Sequence, residues 1–315
     1  MNDLSIIIVS WNTREYLLSC LGSIFEEEDG PFKEVIVIDN GSRDGSGNEV
    51  KKTFSLIHLV ENEKNLGFAK AVNQGLQKSS GRYVLLLNPD TRVKNRAIER
   101  LMSFMDSHPD TGVAGAQLLN SDGSKQNSIA NFPSLATELF NKSLLRWLFP
   151  KRFPGKKRNY PEPVEVNSVI GACMMVRREV LDQVGLLDED YFLFLEETDW
   201  CYRMKRAGWK IYHVPQAEVV HFQGKSAEQD KKRSKVEYYR SRYHFFRKNR
   251  GITPLVILFV GLVVRLVIEF LLTGVGSLLS FFAIKKWRRK LSVQLHLLAW
   301  HLRLCSEGSG LRMKE

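Results

Sequence analysis

The stretch RYVLLLNPDTRV, residues 82–93, decides the fold. Tyr83 to Leu87 is an uninterrupted apolar run, the pattern of a strand buried on both faces. It stops at Asn88-Pro89-Asp90, residue types that start and stiffen turns. A core strand that delivers an acid, held by a proline, onto its exit admits two readings. Asp90 caps a turn or a helix, or it carries chemistry.

Outward from this stretch, short apolar runs alternate with helical patterns. LSIIIVS (4–10) precedes a helix from Arg14, with Leu17, Leu18, Leu21 and Ile24 at helical spacing. EVIVIDN (34–40) precedes a short helical stretch, LIHLVE (56–61) leads into GFAKAVNQGLQKSSG, and RYVLLLN leads into NRAIERLMSFMDSHP. Apolar strands alternating with helices predict an α/β fold with a mostly parallel sheet covered on both faces. Residues 125–163, with five prolines and the basic run PKRFPGKKR, read as a loop-rich, mobile excursion near a substrate. Order returns at VEVNSVIGACMMVRREVLDQVG. YFLFL (191–195) reads as a strand feeding the helix EETDWCYRMKRAGW, and KIYHVPQAEVVHFQG as two further short strands.

The 315 residues allow one large domain or two small ones, and 43% hydrophobic residues suffice for a core. Cys20, Cys173, Cys201 and Cys305 form no CxxC pair, which fits a reducing compartment and excludes a disulfide framework or a cysteine zinc site. MNDLSIIIVSW reads as a strand rather than a signal peptide, so the protein is expected to begin in the cytosol.

The net charge of +11 is regional. Between Asp230 and Lys290 stand fifteen lysines and arginines against three acids, so this segment carries +12 and the remainder is close to neutral. A polar helix is expected from Ser226 to Arg250, followed by the apolar run 252–284. That run is long enough to span a bilayer, but Arg265 and Glu269, four apart and able to pair on a helix, divide it. Basic clusters flank both ends, and a single span would place one of them outside. A re-entrant hairpin around Gly274 and Gly276, or an interfacial helix, keeps both on the cytosolic side against anionic lipid. A buried core helix is the plain alternative.

In a parallel sheet, ligands gather at the carboxyl ends of the strands. Those ends are SWNT (10–13), IDNGSRDGS (38–46), NEKNLGFAKAVN (62–73) and LNPDTR (87–92), all polar. Asp39 alone is an ordinary turn former before Asn40-Gly41, and acids in a helix first turn such as Glu196, Glu197 and Asp199 are favoured by the helix dipole. A lone His221 is most simply a core histidine, although an imidazole at a strand exit is also a metal ligand. Four polar exits on one edge, with a carboxylate cluster beyond, suit a reaction that pulls a proton from a hydroxyl.

SIIIVSWNT, VIVIDNGSRDGS, NLGFAKAVNQG, LLLNPDT, GACMMVRREV, GLLDEDYFLFLEETDWCYRMKRAGW and VVHFQGKS, in this order, resemble family 2 glycosyltransferases, and within them bacterial rhamnosyltransferases. The resemblance covers residues 3–250. It implies a GT-A fold, a Rossmann-like nucleotide-sugar half continuous with an acceptor half, in a catalytic domain over 1–225. A basic connecting helix over 226–251 and a membrane-associated segment with a basic amphipathic tail over 252–315 would follow. Ser10, Trp11 and Asn12 would line the base pocket and Asp39 would accept a hydrogen bond from a pyrimidine. Asn65, Gly67, Lys70 and Asn88 would lie near the nucleotide, and Gly171 and Ala172 near the acceptor, with Glu196 and Arg203 also contacting substrate. Asp90 matches the last acid of the DxD motif and His221 a histidine that completes the metal site of some relatives, so both would hold Mg²⁺ or Mn²⁺. Glu197 falls where the family places its catalytic base, with Asp199 in reserve. Two positions depart from the pattern: Glu197 stands where aspartate is usual, and Asn88 replaces the first acid of DxD.

The activity so implied is inverting transfer of a sugar, L-rhamnose from dTDP-rhamnose, or another hexose from a UDP or GDP donor. The acceptor would be a hydroxyl of a lipid-linked or polysaccharide glycan at the cytoplasmic face of the membrane. A sugar-nucleotide nucleotidyltransferase would need a glycine-rich loop after the first strand, where SWNTREY stands. A basic adaptor for nucleic acid would interleave its charges with exposed aromatics, whereas these charges flank an apolar run, so no nucleic-acid partner is expected.

Overall fold

The structure is a computed structural model that describes residues 3–26, 33–94, 96–149, 160–223, 230–281, 283–303, 305–306 and 310–311. The basic run 150–158 and the expected helix start at Ser226 lie outside the described residues. The chain divides into two compact units: Met1–Phe132 with Gly155–Tyr191 and Glu196–Ser226, and Pro133–Pro154 with Phe192–Leu195 and Ala227–Glu315.

The first unit begins β1 (Leu4–Ser10), α1 (Arg14–Phe25), β2 (Lys33–Asp39), α2 (Ser46–Thr53), β3 (Ile57–Glu61), α3 (Phe68–Lys78) and β4 (Tyr83–Leu87). Then come β5 (Thr91–Val93), α4 (Ala97–Ser107), β6 (Thr111–Leu119) and β7 (Ile129–Ala130). After α5 (Leu135–Leu139) and α6 (Lys142–Leu148), which belong to the second unit, it resumes with β8 (Val164–Glu165), β9 (Ser168–Val169) and β10 (Cys173–Arg177). It ends with α7 (Arg178–Val184), α8 (Glu196–Arg206) and β11 (Lys210–His221).

The central sheet runs β3-β2-β1-β4-β10-β6-β11-β5, with β8 on β11. β3, β2, β1 and β4 are parallel, as are β6 and β11, while β10 lies antiparallel between β4 and β6. Strand alternation divides the apolar residues cleanly between two cores. Ile6 and Ile8 pack with Leu17, Leu21 and Ile24 of α1 and with Leu101 and Met105 of α4. Ile7 and Val9 pack on the opposite face with Val72 and Leu76 of α3 and with Trp200 and Met204 of α8. Every residue of β1, β4 and β6 is buried, because helices cover both faces. A Cβ on Gly75 would fall 2.6 Å from the Ile7 side chain, so glycine there lets α3 sit close to β1.

Two expectations for strands fail. KIYHVPQAEVVH is one strand, β11, with a register shift between Val214 and Glu218 rather than two strands. YFLFL is not a strand: residues 191–195 form an irregular turn in which Phe194 (φ 72°) and Leu195 (φ 66°) are left-handed. Two successive non-glycine residues in that region cost about 1–2 kcal/mol each. The run is apolar because Tyr191 and Phe192 are buried, not because it pairs in a sheet.

The second unit contains α5, α6, α9 (Lys231–Asn249), α10 (Ile252–Leu279) and α11 (Lys285–Leu302). Val236 of α9, Leu266 of α10 and Leu297 and Trp300 of α11 form its core. Buried Glu138 and Arg242 are paired at 3.0 Å, and Tyr243 and His301 share a 2.8 Å hydrogen bond. Arg265 and Glu269 pair at 2.8 Å. α10 runs unbroken through Gly274 and Gly276, so no re-entrant break occurs there and the reversal falls instead between Leu279 and Lys285. A Cβ at Gly276 would meet the Trp287 ring at 2.8 Å, which gives this glycine a packing role rather than a hinge role.

Candidate functional site

β1 and β2 end in register, Ser10 opposite Asp39, and Asp39 in turn faces Glu61 at the end of β3. Asn40 joins these exits. Its backbone N–H donates to the Ser10 carbonyl at 2.8 Å, and its side-chain nitrogen donates to Asn65 Oδ1 (3.0 Å) and the Gly67 carbonyl (3.2 Å). Its Oδ1 accepts from the Leu66 N–H and the Asn62 side chain, both at 3.0 Å. Asn40 is 2% exposed, so this amide is a fully engaged buried hub. Sequence reasoning passed over it because Asn-Gly is an ordinary turn pair.

Asn65 Oδ1 also accepts from the Gly67 N–H at 2.9 Å. Gly67 (φ 91°) stands just before α3, a conformation that favours glycine, and Lys70 is exposed in the first turn. Asp39 is buried, and its Oδ1 accepts from the Ser42 N–H at 3.0 Å. Ser10 is buried and Trp11 half-buried. Asn12 is left-handed (φ 52°) and bridges loops: its N–H donates to Ser42 Oγ at 3.0 Å, and its Oδ1 accepts from the Arg43 N–H at 2.8 Å. The candidate base-pocket residues thus gather on one edge.

At the next exit, the Asn88 N–H donates to the Ala172 carbonyl at 3.0 Å, which ties the end of β4 to the start of β10. Thr91 Oγ1 donates to the Asn88 carbonyl at 2.7 Å and closes the turn around Pro89. β5 follows and pairs with the end of β11, Thr91 opposite His221. This brings two residues 131 positions apart in the chain together: His221 Nε2 stands 3.4 Å from Asp90 Oδ1, both side chains buried.

Gln126 sets the imidazole. Its side-chain nitrogen donates to the His221 carbonyl, so its Oε1 faces His221 Nδ1, at 3.2 Å. That arrangement lets Nδ1 donate to Gln126 and leaves Nε2 facing a carboxylate oxygen. An imidazole nitrogen and a carboxylate oxygen are both metal donors. Neighbouring ligands of one octahedral ion with bonds of 2.0–2.1 Å stand about 3.0 Å apart, close to the observed separation. Asp90 and His221 therefore fit a divalent ion as two of its ligands. Gln126 lies in the segment read as loop-rich and carries no sequence signal.

Beyond Ala172, the place of an added Cβ on Gly171 lies 3.4 Å from Glu197 Cγ, so the Glu197 side chain packs on this glycine. Glu197 opens α8 beside Glu196. Burial, then the charge of Glu197, holds Glu196 well above the usual carboxylate range, and Glu196 Oε2 has no hydrogen-bond partner. Burial also raises Glu197, which accepts from Thr198 Oγ1 at 3.2 Å.

Asp199 is placed differently. It is fully buried, its Oδ2 accepts from Arg203 Nε at 3.0 Å and its Oδ1 from the Tyr191 hydroxyl at 3.4 Å. Arg203, expected to contact substrate, turns inward: Nη1 donates to the Val184 carbonyl and Nη2 to the Leu186 carbonyl, both at 2.7 Å. All three of its nitrogens are bound to protein, so this pair holds α8 to the end of α7.

Comparisons with known proteins agree with this geometry. The chain is 28% identical to an N-acetylglucosaminyl-diphospho-decaprenol L-rhamnosyltransferase of Mycobacterium tuberculosis, over 77% of this chain and 83% of that one. It is 26% identical to a dTDP-rhamnosyl transferase of Shigella flexneri, over 68% and 67% of the two chains. In fold it is similar to a mannosyltransferase of Pyrobaculum calidifontis solved with GDP-Man and Mn²⁺ (TM-score 0.55, 15% identical, 98% of this chain and 88% of that one). It is also similar to GalNAc-T7 solved with UDP, GalNAc and Mn²⁺ (TM-score 0.54, 19% identical, 70% and 44%). These likenesses assign the GT-A fold. The sequence model for glycosyl transferase family 2 matches residues 5–185, more than half of the chain, and the protein is a glycosyltransferase of that family.

Proposed function

We propose that the protein transfers L-rhamnose from dTDP-rhamnose, with inversion, to a hydroxyl of a lipid-linked saccharide. The observation that carries this reading is the row of contacts from Asp90 through Asn88, Ala172 and Gly171 to Glu197. It supports reading Asp90, after β4, as the diphosphate anchor and Glu197, in the first turn of α8, as the base.

In this reading Asn12, Asn65 and the Asn40 hub shape the base and ribose pocket, and Asp39 accepts from the pyrimidine N–H. Asp90 and His221 would hold Mg²⁺ or Mn²⁺, which when bound neutralises charge on the departing diphosphate. Glu197, basic through burial, takes the proton of the acceptor hydroxyl as its oxygen bonds to the anomeric carbon. The bond from that carbon to the diphosphate breaks at the same time, and the diphosphate leaves with the electron pair. Gly171, on which the Glu197 side chain packs, and Ala172 lie beside the acceptor in this reading. Asp199 and Arg203 position α8 and take no part in proton transfer. The relatives' names supply the donor and the lipid-linked acceptor of this reading.

Membrane association through α10 belongs to the same reading. At 28 residues it is about 42 Å long, more than the ~30 Å hydrocarbon core of a bilayer. Val256, Val260, Val264, Val267, Leu271 and Val275 form an exposed apolar row along it. The basic residues around α10 would keep the catalytic unit on the cytosolic side.

The test is a transfer assay with the full chain in vesicles, an N-acetylglucosaminyl-diphospho-polyprenol acceptor, and dTDP-rhamnose, UDP-hexoses and GDP-mannose as competing donors. Rhamnosyl product of inverted anomeric configuration by NMR supports the proposal. Product from a UDP or GDP donor alone would replace rhamnose with another hexose.

A further inference from the structure

The second unit forms an open cavity of about 1120 Å³ lined by eight lysines and arginines against two glutamates. Both glutamates are already neutralised: Glu138 by Arg242 at 3.0 Å, Glu269 by Arg265 at 2.8 Å. Lys285, Lys286, Arg289 and Lys290, all on the first two turns of α11, line the same cavity with no ion pair among the described residues.

This placement opposes local physics. The N-terminus of a helix is its positive end, and cations there destabilise it. α11 has no acid in its first turn and no side-chain cap at Ile284. Such a terminus is arranged for an anion that arrives from outside the chain.

A second, independent observation falls on the same lining. Gln294, which lines the cavity, is 4% exposed, and neither its Nε2 nor its Oε1 has a hydrogen-bond partner. Arg242, 7% exposed, likewise keeps Nε without a partner. A buried amide left unpaired is destabilising, and a ligand that satisfies it recovers that loss. The amide donates through Nε2 and accepts through Oε1, which suits a phosphate that carries both ionised and protonated oxygens.

Apolar residues share the lining, Leu262 and Leu266 of α10 and Val293 and Leu297 of α11. The cavity has the volume of a drug-sized ligand site, well beyond what a lone phosphate ion fills. α10, which supplies part of this lining, also carries the exposed apolar row. We propose that this cavity binds the terminal phosphate or diphosphate headgroup of a lipid, held by the α11 cations, Arg242 and Gln294, with the first part of its chain against the apolar residues. The proposal rests on the reading of a lipid-linked acceptor, whose carrier bears this headgroup, and its test contains no donor sugar, so it can fail while sugar transfer stands.

Flotation of the full chain would be measured with phosphatidylcholine vesicles carrying polyprenyl diphosphate, or phosphatidylglycerol at matched surface charge. Inorganic pyrophosphate and single-stranded RNA would serve as soluble competitors. Binding to the diphosphate vesicles at least ten-fold tighter than to the phosphatidylglycerol vesicles is expected. That preference should fall below two-fold in Gln294→Leu and in Arg289→Gln/Lys290→Gln. Gln294→Leu should melt no lower than the parent, because it removes an unpaired buried amide, so lost preference cannot be ascribed to unfolding. Equal binding to both vesicles, or an unchanged preference in both variants, would reduce the site to a general basic surface and overturn the proposal. Displacement by pyrophosphate at the concentration of the lipid would assign the cavity to a soluble anion, and displacement by RNA to nucleic acid. Either result overturns it.

Discussion

His221 Nε2 lies 3.4 Å from Asp90 Oδ1, and Gln126 holds the imidazole from the other side, at Nδ1 and at the His221 carbonyl. Remote partners that orient a metal-binding imidazole typically affect affinity by 10–100-fold. Gln126→Ala should therefore weaken Mn²⁺ binding at least ten-fold, read by electron paramagnetic resonance of free Mn²⁺. His221→Ala should weaken it further, and unchanged Mn²⁺ affinity in both variants would remove this pair from the metal site.

Glu197 and Asp199 separate in their expected phenotypes. Glu197→Gln should lower kcat by about 10²–10⁴ with donor KM nearly unchanged, since it removes the proton acceptor and little else. Asp199→Ala leaves Arg203 beside an empty buried site and should cost about 3–5 kcal/mol of stability in urea unfolding. Adding Arg203→Leu should recover part of that loss. Full activity in Glu197→Gln with loss in a folded Asp199→Asn would exchange the two roles.

Glu196 is held above its unfolded value of 4.5 by burial and by Glu197. A raised carboxyl contributes stability that is fully present below that value and is lost as pH rises through the folded pKa. Glu196→Gln removes this loss. Its stability relative to the parent should therefore grow between pH 4.5 and 8, measured as urea midpoints. A difference that stays flat with pH would contradict the assignment.

His213 behaves oppositely. Burial lowers it from 6.5 to about 4, and its Nδ1 has no partner inside the fold. The unfolded chain takes up a proton near pH 6.5 and the folded chain only near pH 4. This contribution is thus present above pH 6.5 and lost as pH falls, by up to about 3 kcal/mol. His213→Leu should flatten the stability profile over that window, and an unaltered profile would contradict it.

The sheet was legible because β1 and β4 carry unbroken apolar runs, Ile6–Val9 and Tyr83–Leu87, as strands covered on both faces must. The polar exits were legible for the same reason, since Asn88-Pro89-Asp90 breaks an unbroken run. Tyr191–Leu195 misled because aromatic density looks the same in a strand and in a buried turn, and left-handed Phe194 and Leu195 leave no mark in sequence. Gly274 and Gly276 suggested a break, but a helix tolerates glycine at about 1 kcal/mol each, and Trp287 packs where the Gly276 side chain would be. Gln126 was invisible because its partner lies 95 residues away. Arg203 and Asp199 carried the right charges for substrate contact, and only their coordinates reveal that each satisfies the other.

The most direct measurement is a thermal shift of the full chain with dTDP, UDP, GDP, CDP and ADP, with and without Mn²⁺, beside Asp90→Ala. The account predicts stabilisation by dTDP that requires Mn²⁺ and is lost in Asp90→Ala while the variant itself melts normally. Equal stabilisation of the variant, or no response of folded protein to any nucleotide diphosphate, would contradict the placement of the donor diphosphate at Asp90.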